Sequence, residues 1–311
     1  MKSAFPTLHK ALGRSPRMTE ESRVAAPPTI REAVKEHMDA RRQFGAMMGA
    51  VLSALVLLAG AASTARADQL STIKSRGTLI VGVKADYPPF GFRSPSGQIE
   101  GIEPALAADV AKSLGVKLEL VAVVGSNRMQ FVQQGKIDLM IATMADTPER
   151  RRVVEIIQPD YYDSGYNLML PKSIPVASWS DLKGKTVCGI QGAYYNKQVQ
   201  EKDGAEVIAF TGTAEALTAL KQGRCIGFLG DDTGISGIRL SAEWSDYVMP
   251  LDSQDSIPWG MAVRLGEPEW ATYMSKMSEG WAKAGTIQKL ETQYHIDHSK
   301  YAEELHTKYS K

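Results

Sequence analysis

The chain has 311 residues, of which 43% are hydrophobic and 23% charged, a composition typical of globular proteins with one or two buried cores. The formal net charge is +1, but residues 1–67 hold ten Lys and Arg against five Asp and Glu, whereas residues 68–311 hold 26 against 30. A mildly acidic body lacks the basic surface that nucleic-acid binding needs, so we expect no nucleic-acid partner.

An uncharged apolar segment near the N-terminus indicates secretion. It extends from Gln43 to Ala65, follows two arginines and ends in the small-residue pattern Ala65-Arg66-Ala67. A basic region, an apolar stretch and an A-x-A site are typical of a signal peptide. We predict cleavage after Ala67 and a periplasmic mature protein. The alternative is an uncleaved membrane anchor, because the apolar run is nearly long enough to span a bilayer.

The rest of the chain alternates twice between strands and helices. Short β-branched runs predict strands, and apolar residues at helical spacing that end at Gly predict helices. The first unit contains strand 79–83, helix 104–115, strand 117–124, helix 128–134 and strand 137–142; the second contains strand 186–190, helix 195–202, strand 207–210, helix 213–222 and strand 226–229; helices 270–284 and 286–294 and a charged tail from 298 follow. This order indicates an α/β fold with two mostly parallel sheets.

The cysteines Cys188 and Cys225 lie on the first and third predicted strands of the second unit. An even cysteine count in an oxidising compartment favours a disulfide. The two strands would also be neighbours in a flavodoxin-like order. The alternative is two buried thiols that pack as small hydrophobic groups.

A series of short motifs gives the chain a family resemblance. They are LIVGVKADYPPF at 79–90, GIEP at 101–104, GKIDLMIATM at 135–144, TPER at 147–150, DLKGK at 181–185, AEAL at 214–217 and WGMAVR at 259–264. In this order and spacing they resemble the amino-acid-binding (family 3) extracellular solute-binding proteins of ABC transporters. The resemblance covers nearly all of 77–294.

The resemblance implies the type II periplasmic binding protein fold. Each of two lobes holds a doubly wound, mostly parallel sheet, and two crossover hinge strands join them, here expected near 166–171 and 257–263. Residues 1–67 would form an N-terminal extension with the signal peptide, 68–165 plus 262–311 lobe one, and 166–261 lobe two. A ligand would lie between the lobes, and a membrane permease would receive it.

The resemblance also implies roles for individual residues. Arg150 would clamp the α-carboxylate of an amino acid, since its planar guanidinium offers two parallel donors. Asp231, after a strand of lobe two, would bind the ammonium group. Thr143 would offer a hydroxyl and backbone donors, and Tyr87 would cover the apolar stem of the ligand.

Some positions depart from the family pattern. Ala145 stands where Ser or Thr is frequent, so a hydroxyl to the carboxylate is missing. Gln191, Ala193 and Tyr194 follow a strand where small or hydroxylated residues are usual. Their backbone N–H groups at a helix N-terminus could still bind a carboxylate, and Tyr194 could reshape the pocket.

Two further cations suggest the ligand's side chain. Lys84 and Arg128 map to positions that reach the side-chain end in acidic-amino-acid binders. Because an unpaired buried cation is costly, a ligand carboxylate would stabilise them, and we predict glutamate or aspartate, with their amides weaker. The alternative is that Asp146, Asp232 or Glu103 pairs with these cations inside the protein.

Other classes of function are less well supported. An enzyme resembling cyclohexadienyl dehydratase would use Asp231 or Asp232 as its acid. The histidine that usually performs proton transfer at neutral pH is not expected in the cleft, because His295, His298 and His306 all lie in the C-terminal tail. Binding of another amino acid or an opine is a further alternative. We expect no catalytic residue, no cofactor and no metal site, since two spaced cysteines without nearby histidines give no ligand set. A monomer is the default for this class.

Overall fold

The computed structural model describes Lys35, Met38 and residues 68–311. The predicted signal peptide therefore lies outside the described residues. From Asp68 onward the described chain forms one compact unit. Within the described part, no helix is long and apolar enough to cross a bilayer.

Strands and helices alternate through most of the described chain. The strands are β1 Thr78–Val83, β2 Asp86–Tyr87, β3 Gly91–Arg93, β4 Ile99–Glu100, β5 Lys117–Ala122, β6 Leu139–Met140, β7 Glu155–Ile156, β8 Tyr162–Pro171, β9 Thr186–Ile190, β10 Glu206–Phe210, β11 Phe228–Asp231, β12 Tyr247–Val248, β13 Gln254–Trp259 and β14 Ala262–Val263. The α-helices are Gln69–Arg76, Ile102–Leu114, Arg128–Gln133, Pro148–Arg151, Tyr195–Asp203, Thr213–Lys221, Asp232–Arg239, Pro268–Ala284, Thr286–Gln293 and Lys300–Tyr309, with 3₁₀ turns at Trp179–Leu182 and Ala242–Trp244.

The first sheet has the strand order β5-β1-β6-β14-β7. β1 pairs in parallel with β5 and β6, so Val81 lies opposite Leu120 on one side and Leu139 on the other. β14 returns antiparallel between β6 and β7. Parallel strands of this kind are buried on both faces, which explains the continuous apolar run in β1. We call this sheet and its helices lobe one.

The second sheet has the order β10-β9-β11-β8-β12, with β13 also on β8. β9 pairs in parallel with β10 and β11, and β8 runs antiparallel to β11. Buried apolar side chains cover both of its faces. We call this sheet and its helices lobe two. The two-lobed α/β fold predicted from the sequence is confirmed.

Two paired strands carry the chain between the lobes. β8 and β13 run antiparallel, with Tyr162 opposite Trp259 and Ser164 opposite Ile257. β8 begins four residues before the crossover segment expected near 166–171, and β13 lies three to four residues before the one expected near 257–263. The exact lobe boundaries at 165 and 261 stay predictions.

The charged tail forms a helix that packs on lobe one. Helix Lys300–Tyr309 contacts helix Pro268–Ala284, and Ala302 is buried between them. Just before it, the hydroxyl of Ser299 donates to Asp163 in β8 at 2.9 Å. The end of the chain is therefore attached to a crossover strand and does not form a solvated tail.

Cys188 and Cys225 form a disulfide with a Cα–Cα distance of 5.6 Å. Cys188 lies in β9 opposite Phe228 of β11, and Cys225 lies three residues before that strand. The bridge closes a loop of sequence separation 37 inside the apolar cluster on one face of the lobe two sheet.

Candidate functional site

One cavity between the lobes collects the residues that the sequence singled out. Both sheets point the carboxyl ends of their parallel strands toward it, the usual place for a ligand in α/β folds. The cavity is lined by Lys84, Tyr87, Gly125, Arg128, Thr143, Ala145, Arg150, Ile190, Gln191, Ala193, Tyr194, Tyr195 and Asp231. All ten predicted binding residues belong to this set. The space is small, with about 40 Å³ open to the centres of water-sized molecules.

Arg150 is placed by a short capped helix. The Thr147 side chain accepts the Arg150 N–H, and Pro148 begins the helix, as the TPER motif favours. The Arg150 guanidinium is 8% exposed and donates to the carbonyl of Ala145 at 2.7 Å and to the carbonyl of Gly192, in lobe two, at 2.9 Å. Burial lowers the pKa of Arg150 to about 10, which leaves it a cation at neutral pH.

Asp231 faces this cation from the other lobe. It lies at the end of β11 and begins the helix Asp232–Arg239. Its Oδ2 accepts the Tyr87 hydroxyl across the cavity at 2.8 Å. Burial raises the pKa of Asp231 to about 6, while that hydrogen bond and the charge of Arg128 oppose the rise. The carboxylate is therefore mostly ionised at neutral pH and close to its titration range.

Arg128 lies deeper, on the lobe one side. Its Nη1 donates to the carbonyl of Thr143 at 3.0 Å and also to that of Ala142. Its Nε has no partner within the described residues, and none of the ion pairs formed there involves Arg128. Burial lowers the pKa of Arg128, while the charges of Asp231 and Glu103 oppose the fall.

Lys84 is paired, contrary to the reasoning from sequence. Its Nζ lies 3.2 Å from Oδ1 of Asp86, a residue that was not considered as a partner. Two of the carboxylates that were considered are engaged elsewhere: Asp146 pairs with Arg151, and Asp232 accepts the Ser164 hydroxyl at 2.6 Å. The premise that both cations lack a partner is therefore wrong for Lys84 and holds for Arg128.

Glu103 supports the site from behind. It is fully buried, and its Oε1 accepts the Thr143 N–H and the Tyr161 hydroxyl, each at 2.6 Å. Burial raises the pKa of Glu103 to about 7, while those two hydrogen bonds and the charges of Lys84 and Arg128 oppose the rise. The sequence signal for this role was the GIEP motif, which places an acid at the start of a buried helix.

Lobe two contributes backbone and aromatic groups. The N–H groups of Gln191 and Ala193 donate to the carbonyls of Phe210 and Ile190, at 2.8 and 3.2 Å, so both are used inside lobe two. The expectation that N–H groups of this segment, including that of Tyr194, bind a carboxylate stays a prediction. Tyr194 donates its hydroxyl to the carbonyl of Asp255 in β13 at 2.8 Å. Tyr195, which the sequence analysis missed, is buried and also lines the cavity.

The arrangement places positive and negative groups on opposite walls of one enclosed space. Among the described residues, no group of three His, Cys, Asp or Glu is placed to hold a metal ion. Two α/β lobes, two connecting strands and an enclosed polar cleft are the features of the two-lobed solute-binding class. The model of the bacterial extracellular solute-binding proteins, family 3, matches residues 79–297, and the chain belongs to this family.

Individual relatives agree with this assignment. The ABC transporter glutamine-binding protein GlnH of Bacillus subtilis is 31% identical over 213 residues, which cover 67% of this chain and 77% of the relative. A mutant form of ArgBP from T. maritima superposes with a TM-score of 0.69 at 30% identity, over 73% of this chain and 99% of that one. The ancestral amino acid-binding protein AncCDT-1, a precursor of cyclohexadienyl dehydratase, gives a TM-score of 0.66 at 30% identity, over 72% and 98%.

Proposed function

We propose that this protein is the periplasmic substrate-binding component of an ABC transporter for polar amino acids, with a preference for glutamate or aspartate over their amides. It closes on the ligand and delivers it to a membrane permease. The observation that carries the proposal is the opposition of Arg150 and Asp231 across one cavity, with Arg128 beside them as a third, unpaired charge.

The α-groups of an amino acid fit the two opposed charges. An α-carboxylate would accept the paired donors of Arg150, a geometry that a guanidinium favours. An α-ammonium would bind Asp231, whose Oδ2 is at present occupied only by the Tyr87 hydroxyl. The cavity that joins them is small and lined by several charged side chains, which supports a free amino acid as the ligand.

The remaining charges favour an acidic side chain. The cavity is lined by the cations Lys84, Arg128 and Arg150 and by the single carboxylate Asp231; Asp86 pairs with Lys84 from outside the lining. A zwitterion leaves this balance unchanged, whereas a side-chain carboxylate would neutralise Arg128. Desolvated cations are costly without such a partner. The role of Lys84 is smaller than expected, because Asp86 already neutralises it.

The names of two relatives can be compared with this preference. The Bacillus subtilis relative is named for glutamine, the amide of glutamate. The T. maritima structure belongs to a protein also solved in an arginine-bound form. A cationic side chain would bring a fourth positive charge next to Arg128 in this chain, so we place arginine below both acids and amides.

Isothermal titration calorimetry of the purified protein tests the proposal with glutamate, aspartate, glutamine, asparagine, arginine and cystine. Glutamate or aspartate should bind most tightly. In Arg128→Gln the affinity for glutamate should fall by roughly 30-fold or more, while glutamine should lose much less. Arg152→Gln, which changes an exposed arginine, is the matched control. It should leave the affinities for glutamate and for glutamine unchanged. Tight binding of a neutral or basic amino acid without any binding of glutamate would refute the acidic preference.

A second candidate is an enzyme resembling cyclohexadienyl dehydratase. It is favoured by Asp231, a cleft carboxylic acid with a pKa of about 6, which is suited to proton transfer near neutral pH. We place it second because the cavity lining holds no histidine and presents no nucleophile–base pair beside this acid. The enzyme would become the first candidate if the purified protein bound no amino acid and showed dehydratase turnover that Asp231→Asn abolishes.

A further inference from the structure

Helix Thr213–Lys221 of lobe two begins without a capping side chain of its own. Its N-cap is Gly212, which has no side chain to accept the first N–H groups of the helix. Helices usually receive this oxygen from Ser, Thr, Asp or Asn at the N-cap. Here the Thr213 N–H donates to Oδ2 of Asp86 at 2.6 Å. Asp86 lies in β2 of lobe one, 127 residues earlier, so the cap comes from the opposite lobe.

Gly212 leaves the space that this contact requires. A Cβ atom built on Gly212 would lie 2.5 Å from Oδ2 of Asp86. Among the described residues beyond its two chain neighbours, the only other heavy atom within 4 Å is Cγ of the same carboxyl group, at 3.6 Å. The Gly212 backbone has φ of −137°, which any residue adopts. The glycine is therefore required by the approach of Asp86 and not by its own backbone.

The other oxygen of Asp86 binds Lys84 at 3.2 Å. One carboxylate thus joins a buried cation of lobe one to a helix N-terminus of lobe two, where an anion is favourable. Asp86, Gly212 and Thr213 are not among the residues that line the cavity. By contrast, the cross-lobe contacts of Arg150 with Gly192 and of Tyr87 with Asp231 use groups that we assign to the ligand.

We propose that Asp86 is the closure latch of this protein. Its carboxylate is an N-cap supplied by the opposite lobe, and it holds the two lobes together without contacting the ligand. The effect on ligand affinity rests on the proposed function, whereas the effect on lobe closure does not. Because the latch acts on the closed form alone, its loss in Gly212→Ala, which keeps Asp86 in the chain, should weaken every ligand by the same factor and leave their ranking unchanged. Asp86→Ala also removes the counterion of Lys84, a cavity residue, and should in addition favour acidic ligands over the others.

A double-mutant cycle of Asp86→Ala and Gly212→Ala tests the latch in the purified protein. Small-angle X-ray scattering of the ligand-free protein gives the radius of gyration, and calorimetry gives the affinity. Each single variant should increase the radius of gyration and weaken binding by about fivefold, within roughly 2- to 30-fold for the loss of a cap. The double variant should match Asp86→Ala, because the methyl group that Gly212→Ala adds meets only Asp86.

Asp86→Asn separates the cap from the ion pair. The amide oxygen still caps a helix well, so this variant should stay closed while Lys84 loses its counterion. The latch is wrong if Asp86→Ala leaves scattering and affinity at wild-type values, or if Gly212→Ala opens the protein equally in the Asp86→Ala background. Scattering reports the latch even if none of the amino acids binds, so failure of the latch and failure of the proposed function are distinguishable.

Discussion

The backbone N–H of Thr143 donates to Oε1 of the fully buried Glu103 at 2.6 Å. Thr143 has φ of 47°, in the left-handed region that is uncommon for residues with a Cβ atom. The carboxyl group therefore holds the turn after β6 in a conformation that the residue itself does not favour. Since Thr143 lines the cavity, Glu103 positions one wall of the candidate site without belonging to it.

The raised pKa of Glu103 predicts that the protein loses stability as the pH rises. Below about pH 4.5 the carboxyl is protonated in both the folded and the unfolded chain. As the pH rises to about 7, only the unfolded chain ionises, and the free energy of unfolding should fall by about 3 kcal/mol. Asp231, whose pKa is about 6, adds to this fall.

Glu103→Gln keeps an oxygen acceptor for Thr143 and Tyr161 but removes the titration. Urea unfolding between pH 4.5 and 8 should therefore give a flatter profile for this variant than for the wild type. Glu100→Gln, at an exposed position nearby, should reproduce the wild-type slope. An unchanged slope in Glu103→Gln would show that other groups control the pH dependence.

Replacing Arg150 by lysine should weaken amino-acid binding by roughly 10- to 100-fold, because a lysine cannot form two parallel hydrogen bonds. Its three N–H donors would also have to be shared among the carbonyls of Ala145 and Gly192 and the ligand carboxylate, whereas the guanidinium has five. Calorimetric affinity is the measurement. Arg151→Lys is the control, since Arg151 is exposed and pairs with Asp146. The affinity of this variant for amino acids should stay within about twofold of the wild-type affinity. Equal effects of the two substitutions would contradict the clamp role of Arg150.

Asp231→Asn should weaken binding of every α-amino acid by roughly 30-fold or more, the usual cost of removing one partner of a buried charge pair. Compounds that lack the α-ammonium group should be affected far less. Asp232→Asn changes the next charge along the chain, whose side chain faces Ser164 instead of the cavity, and should bind nearly as well as the wild type. Loss of binding in Asp232→Asn alone would place the ammonium site elsewhere.

Removal of the disulfide should lower stability and spare binding. Opening a loop of this size in the double variant Cys188→Ala/Cys225→Ala should cost about 4 kcal/mol by the chain-entropy relation. The bridge lies within the apolar cluster of lobe two and is not part of the cavity lining. Urea unfolding with and without reductant measures the first effect, and calorimetry the second. A reductant-insensitive wild type would show that the bond contributes little.

The residues at strand ends could be predicted from sequence. Apolar runs identify the strands, and the side chains that follow parallel strands meet at one edge of a sheet. The family resemblance assigned Lys84, Thr143, Gln191 and Asp231 to one site, and each of them lies at or just after the end of a predicted strand. The predicted strand order also favoured the disulfide, because the strand that carries Cys188 and the strand that follows Cys225 are neighbours.

The contacts between distant segments could not be predicted in the same way. Asp86 reaches Thr213 across 127 residues, and no local pattern marks Gly212 as a helix start that lacks its own cap. The pairing of Lys84 was also not predicted, although its counterion Asp86 lies only two residues away. Strands β2, β3 and β4 pair antiparallel in a third, small sheet. This sheet was not predicted, because each of its strands has only two or three residues.

The pairing of β8 with β13 has a consequence for how such a protein can change. The chain leaves lobe one and returns to it through adjacent strands of one ladder, so lobe two is a continuous insertion with both junctions side by side. A recombination that exchanges residues 163–258 between relatives would replace Asp231 and Tyr194 while Arg128 and Arg150 stay. The lobe two side of the pocket can thus be inherited as one continuous segment. New ligand specificities can arise when this segment is combined with lobe one of a different relative.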